Sequence, residues 1–140
     1  MKMNYSKIET EQIHNLWQLQ LAYKEEIGEE QPPMEAIDRL TVAMQEGSIE
    51  FYGAWDDNKL VGCCSISKGF STFNYGISGV FEDFYILPGY RHKGIARELV
   101  HFAYENSGVE SLTVGCADCD LEMYGKIGFT IKLGNLLAFK

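Results

Sequence analysis

Residues 85–100 read YILPGYRHKGIARELV. A run of β-formers ends at Pro88, two glycines and three basic residues follow, and an apolar-patterned helix begins. A glycine-containing turn that feeds a helix exposes backbone N–H groups, and the helix dipole adds positive potential there, so the arrangement suits an anion. An ordinary turn needs glycine only for backbone freedom. What sets this one apart is Arg91, His92 and Lys93, cations at a helix start where the dipole disfavours them unless an anion compensates. Gly89 and Gly94 have the GxxxxG spacing of a nucleotide P-loop, but Ile95 and Ala96 stand where that motif needs Lys and Ser/Thr. GxGxxG is also absent. A pyrophosphate held by backbone amides without a metal fits better than a nucleotide–magnesium site.

The elements that would position this loop follow from the rest of the chain. Its 140 residues and 46% apolar content predict one domain, 1–140, with a sizeable core. Residues 3–8 predict a first strand. Thr10 is the predicted N-cap of a helix to about Ile27, and Pro33 lies in the first turn of a second helix to about Gln45. Residues 49–55 and 60–67 predict a hairpin around DDNK. A loop with exposed aromatics is predicted over 68–76, then a long strand over 77–87. The helix of the basic loop follows, then a strand over 110–116, a short helix over 118–126 and a terminal hairpin over 128–140 around Gly134 and Asn135. The order predicts an α/β or α+β fold, a mixed sheet with about four helices on its faces.

The net charge of -8 argues against general nucleic-acid binding and mildly favours cationic ligands. No apolar run reaches membrane-spanning length and no signal-peptide core opens the chain, which predicts a cytoplasmic protein that engages no membrane. Cys116 and Cys119 have CxxC spacing. Cys63 and Cys64 are adjacent on a predicted strand, point to opposite faces and cannot both complete a zinc site with them. His14, His92 and His101 are scattered without metal spacing, so no metal is expected. The thiols are expected to be reduced.

VFEDFYILPGYRHKGIARELV resembles the acyl-CoA-binding motif of the GNAT superfamily of N-acyltransferases, a strand, an (Arg/Gln)-x-x-Gly-x-(Gly/Ala) loop and a helix. Arg91, Gly94 and Ala96 match its three defining positions. LEMYGKIGF resembles the family's second signature, a Tyr followed by Lys and then Gly-Phe. The resemblance covers about 78–131; upstream only the element order matches. It implies a mixed, mostly antiparallel sheet splayed between its fourth and fifth strands. It implies acetyl-CoA as acyl donor, with its pyrophosphate on the backbone of Arg91, His92, Lys93, Gly94, Ile95 and Ala96. Phe84, Tyr85 and Ile86 would line the pantetheine arm, and the Ile86 N–H would stabilise the developing oxyanion.

The same resemblance implies a base near Glu82 and a proton donor at Tyr124. Tyrosine, with an ordinary pKa of about 10, keeps its proton at neutral pH. Because adjacent strand residues face opposite ways, one of Glu82 and Asp83 is expected to face the cleft. Either carboxylate could instead serve an ion pair, and Tyr124 a core. Two departures stand out: Asp118 where many members carry Asn, and Leu121 where many carry Ala. The implied activity is acetyl transfer to a primary amine of a small, cationic molecule held between the first helical pair and the 68–76 loop. A peptide or protein amine, a non-catalytic acyl-CoA sensor and pairing into a homodimer are the alternatives left open.

Overall fold

The computed structural model describes residues 2–140. Five strands, β1 (Met3–Lys7), β2 (Ile49–Asp56), β3 (Lys59–Ser71), β4 (Gly76–Ile86) and β5 (Ser111–Thr113), form one sheet in that order. Neighbours are antiparallel except β4 and β5, which run parallel. Helices α1 (Ile13–Ile27) and α2 (Ala36–Glu46) precede β2, α3 (Ile95–Ser107) joins β4 to β5, and α4 (Leu121–Lys126) follows. This is the mixed α/β architecture predicted above.

Strand alternation divides the core. Phe51, Trp55, Leu60 and Cys63 face one side, where Leu16 and Leu19 of α1 cover them. Tyr52, Ala54, Val61 and Cys64 face the other, against Ile95 and Leu99 of α3. The adjacent cysteines thus enter opposite cores, as their positions on a pleated strand require. Both α1 and α2 stop at glycines in the left-handed region, Gly28 at φ 74° and Gly47 at φ 78°, a conformation that costs glycine little.

Five expectations need correction. Pro33 lies outside the second helix: a turn over 34–35 follows it and α2 begins at Ala36. The helical start is capped one residue earlier than Thr10: the Glu9 N–H donates to Gln12 Oε1 at 2.9 Å, and Thr10–Gln12 form a 3₁₀ turn leading into α1. The 68–76 loop shrinks to a turn over 72–75, because β3 runs on to Ser71 and pairs Phe70 with Ile77 and Ser71 with Gly76. Its aromatics are exposed as expected, Phe73 by 97%. β5 is shorter than the expected 110–116 strand. The terminal hairpin does not form: residues 128–140 contain no strand.

The splay is present. β5 pairs with β4 only at Ser78–Ser111, Gly79–Leu112 and Val80–Thr113. Among the described residues, β4 continues to Ile86 with β3 on one side and no strand on the other.

Burial raises the pKa of the Cys63 and Cys64 thiols above the ordinary 9.0, and of the Tyr5 and Tyr52 hydroxyls above 10.0. The unfolded chain ionises these groups at their ordinary values while the folded chain keeps them neutral. Their contribution to stability is therefore complete below about pH 9 and is lost as pH climbs through the raised values. The melting temperature should fall steadily between about pH 9 and 11; a flat profile by circular dichroism would contradict this reading of the core.

Candidate active site

Two non-glycine residues away from hairpin turns and the chain end have positive φ, Asp83 at 53° and His92 at 63°. Such residues cost about 1–3 kcal/mol each and collect at functional sites. They mark the two halves of the candidate site.

Asp83 is the extra residue of a β-bulge. Cys63 pairs with Tyr85 and Ser65 with Glu82, so two steps along β3 oppose three along β4. The bulge breaks the pleat: Phe81 and Phe84, three apart, both pack into the α3-side core. Glu82, next to Phe81, is sent to the α1 side by the pleat. Asp83 also turns to that side, where the Ser65 hydroxyl donates to its Oδ2 at 2.7 Å. Both carboxylates therefore face the α1 side, which corrects the expectation that only one would. Glu82 is exposed and Asp83 half-buried.

The end of β4 presents unpaired backbone. The Leu87 N–H donates to the Val61 carbonyl at 2.9 Å, so the neighbouring Ile86–Gly62 pair is non-hydrogen-bonded. The N–H and C=O of Ile86 accordingly point away from β3. Arg91 Nε donates to that carbonyl at 2.8 Å. Its Nη2 also donates to both carboxylate oxygens of Glu26, at 3.0 and 2.9 Å, and its guanidinium lies 5.4 Å from the Tyr85 ring centroid. The Tyr85 hydroxyl donates to Glu26 Oε1 at 3.0 Å. Arg91, then Tyr85, hold the Glu26 carboxyl below its ordinary pKa. The Arg91 side chain thus ties the end of α1 to the end of β4.

Beyond Arg91 the loop opens into α3. Gly94 caps that helix at φ 83°, and a Cβ placed there would meet nothing within 4 Å. Among the described residues, no backbone carbonyl accepts from the amides of residues 94 to 97. His92, Lys93 and Gly94 are exposed, Ala96 is half-buried and Ile95 is rooted in the core. The loop therefore combines free donors, open space and a rigid base.

Across the splay, Tyr124 on α4 closes an aromatic cluster, with ring centroids 6.3 Å from Phe84, 6.5 Å from Phe81 and 5.9 Å from Phe129. Burial first, then the neighbouring Tyr23, Asp120 and Cys116, push its hydroxyl pKa up to about 12. Tyr23 packs at a tilt against Tyr85, with ring centroids 5.4 Å apart. Its own pKa is raised by burial and then by the charges of Asp83 and Glu29. Asp118 stands exposed at the start of the 3₁₀ turn before α4, and Cys116 and Cys119 are exposed free thiols.

The structure brings Glu82, Asp83, Phe84, Tyr85, Ile86 and Arg91 together at the free edge of β4. The 72–75 turn does not join them: Gly76 lies seven residues along β4 from Asp83, roughly 23 Å at the usual strand rise. Sequence reasoning missed Tyr23, Glu26 and Ser65. Ser65 had a signal, a polar residue within the apolar run LVGCCSI. Glu26 had none among its acidic neighbours.

The family description "Acetyltransferase (GNAT) domain" matches residues 47–131. The chain belongs to the GNAT acetyltransferase family. Membership makes it an acyltransferase, of a family that uses acetyl-CoA. No curated protein matches its sequence. Its fold is similar to an aminoglycoside acetyltransferase from an uncultured soil metagenomic sample, solved with sisomicin; the two are 12% identical over 99% of this chain and 95% of that one, with a TM-score of 0.86. It is also similar to glucosamine-6-phosphate N-acetyltransferase from Arabidopsis thaliana, at 15% identity over 99% of both chains and a TM-score of 0.77. A predicted acetyltransferase from Clostridium acetobutylicum, solved with acetyl-CoA, is 21% identical over 99% of this GNAT chain and 96% of its own, with a TM-score of 0.74.

Ser65 is fully buried in this GNAT site and donates its hydroxyl to Asp83. Ser65→Ala should cost about 1–3 kcal/mol, the penalty for stranding a half-buried acceptor. Denaturant titration of the single and double variants with Asp83→Ala should show coupling between the two sites. Additive losses would show that the hydrogen bond contributes nothing.

Proposed function

We propose that the protein transfers an acetyl group from acetyl-CoA directly to a primary amine of a small, cationic molecule, acting as one domain over residues 1–140. The observation that carries this reading is the continuity of two sets of free donors. The unpaired Ile86 N–H at the β4 edge runs into the unbonded amides of residues 94 to 97 at the start of α3. Of the amides from Arg91 to Ala96, that of Arg91 donates to the Pro88 carbonyl at 3.3 Å, while those of Gly94, Ile95 and Ala96 suit a pyrophosphate, and the open space at Gly94 lets phosphate oxygens approach the backbone. Phe84, Tyr85 and Ile86 would hold the pantetheine arm as an added strand, with Asp118 bordering it. The Ile86 N–H would stabilise negative charge on the thioester oxygen.

Glu82 and Asp83 would take the proton of the attacking amine, directly or through water, with Asp83 oriented by Ser65. Tyr124 would return a proton to the departing thiolate. Its raised pKa keeps it protonated throughout the neutral range, so it should set no alkaline limb below about pH 10. Cationic acceptors are supported by Glu82 and Asp83 on the α1 side of the cleft, since Glu26 and Glu29 there are already paired with Arg91 and Lys24. With the loop aromatics remote, the acceptor would sit against Tyr23 and the end of α1. No helix among the described residues is long and apolar enough to cross a membrane, and four free thiols suit a reducing, cytoplasmic setting.

Acetyl-CoA should raise the melting temperature by mass action, and Gly94→Glu should abolish that shift by placing bulk and charge against the pyrophosphate. The unliganded melting temperature of the variant separates lost binding from lost folding. A folded Gly94→Glu protein with the wild-type shift would remove the loop from the site.

Tyr124→Phe should lower turnover on an acceptor found in an amine panel by roughly 100- to 10,000-fold. Acetyl-CoA affinity should stay nearly constant, because the hydroxyl acts in the transition state. Full activity in that variant, measured where chemistry limits the rate, would exclude Tyr124 as the acid.

A further inference from the structure

A second concave surface lies away from the β4 edge. It sits between the start of α1, the outermost strand β1 and the turn that joins β2 to β3, and holds about 350 Å³. That volume is at the lower end of the roughly 300–1,000 Å³ of small-molecule pockets. Asn15, which lines it, is roughly 16 Å along α1 from Glu26 at the reaction cleft. The two surfaces are therefore separate.

The chemistry of the lining is narrow. Asn4 and Ser6 share one face of β1, the face that Ile8 continues against α1. Asn15 comes from the helix and Asn58 from the turn. Among the described residues, none of these four side chains is bonded within the chain, whereas Gln12 beside them accepts the Glu9 N–H on its Oε1. Asp57 is the one charged residue of the lining.

Trp55 forms the inner wall. It is 8% exposed, and its Nε1 is buried without a hydrogen-bond partner. The indole leans back along β2, so that Nε1 lies 3.0 Å from where a Cβ of Gly53 would stand. Gly53 is the register partner of Ser6, and Trp55 that of Asn4. The orphan N–H thus sits beside the two β1 residues that line the pocket. A buried donor without a partner is destabilising, so it marks a place for an acceptor.

These groups select the ligand. Among the described residues no Lys, Arg or His lines the pocket, and Asp57 repels anions, which disfavours phosphates and carboxylates. A lone carboxylate in an open pocket holds a cation only weakly. Trp55 is the one apolar body in the lining, so a greasy ligand has little to bury against. Amide and hydroxyl side chains both donate and accept, as sugar hydroxyls do, and the indole adds a single donor. We propose that this pocket binds a neutral sugar, whose hydroxyls bridge Asn4, Ser6, Asn15 and Asn58, one of them accepting the Trp55 N–H.

Nuclear magnetic resonance titration of the isotope-labelled protein with glucose and with maltose tests the site, with glucuronate as the anionic control. At least one neutral sugar should shift the Trp55 indole N–H and the Asn4, Asn15 and Asn58 side-chain amides saturably, with a dissociation constant on the order of 1 mM. Glucuronate should bind more weakly than glucose. Asn4→Ala combined with Asn15→Ala alters exposed side chains that bond nothing in the chain, so the fold should survive, as circular dichroism can verify. Losing two ligand hydrogen bonds should weaken sugar binding by roughly tenfold or more. The absence of saturable shifts at these groups with both neutral sugars overturns the proposal, as does glucuronate binding as tightly as glucose; neither comparison needs a variant. A folded double variant that binds the sugar as the wild type does overturns it too.

Discussion

β5 stays beside β4 for three residue pairs and then leaves it. A strand flanked on both sides has its backbone groups consumed by its neighbours. Once β5 departs, the outer edge of β4 from Phe81 onwards has no strand partner, and the polar groups of Ile86 turn towards that side. Buried backbone groups left unpaired cost free energy, so such an edge is stable only if solvent, a side chain or a ligand completes it. Arg91 takes the Ile86 carbonyl; the N–H stays available. The aromatic cluster of Phe81, Phe84, Tyr124 and Phe129 holds α4 across the gap and keeps the splay from closing.

Along that edge the bulge at Asp83 does a second job. A regular strand would send Glu82 and Asp83 to opposite faces. The extra residue turns both to the α1 side, at the expense of a left-handed conformation at an aspartate. Buried Ser65 offsets part of this strain by hydrogen-bonding Asp83. Two acids thus stand on one side of the cleft with Tyr124 across it, the separation that the proposed base and acid roles would use.

Arg91 links the two halves. Its guanidinium bonds Glu26 of α1, contacts the Tyr85 ring and donates to the β4 end, so α1 and the loop ahead of α3 share one contact network. These groups are partly exposed, so the ion pair contributes little to overall stability. Its consequence is geometric: it fixes where α1 ends relative to the loop amides.

The loop before α3 was legible in the sequence because its signals are local. Gly94, Ala96 and the three basic residues sit within six positions, and glycine at a helix start has a direct backbone meaning. Strand and helix order was legible for the same reason, from periodicity and from the glycines that stop α1 and α2. The facing of Glu82 and Asp83 was not, because a bulge is set by pairing with β3 and leaves the residue types of β4 unchanged. Glu26 and Tyr23 were invisible, since their partners lie 65 and 62 residues away in the chain and only the packing of α1 on the sheet brings them together. The tail shows the reverse case. Its sequence predicts a hairpin around Gly134 and Asn135, yet residues 128–140 form no strand. Sequence alone determined the element order through α4 and the glycine-containing basic loop, which depend on nearby residues; tertiary structure decided the open edge, the paired carboxylates and the Arg91–Glu26 link, which depend on distant segments meeting.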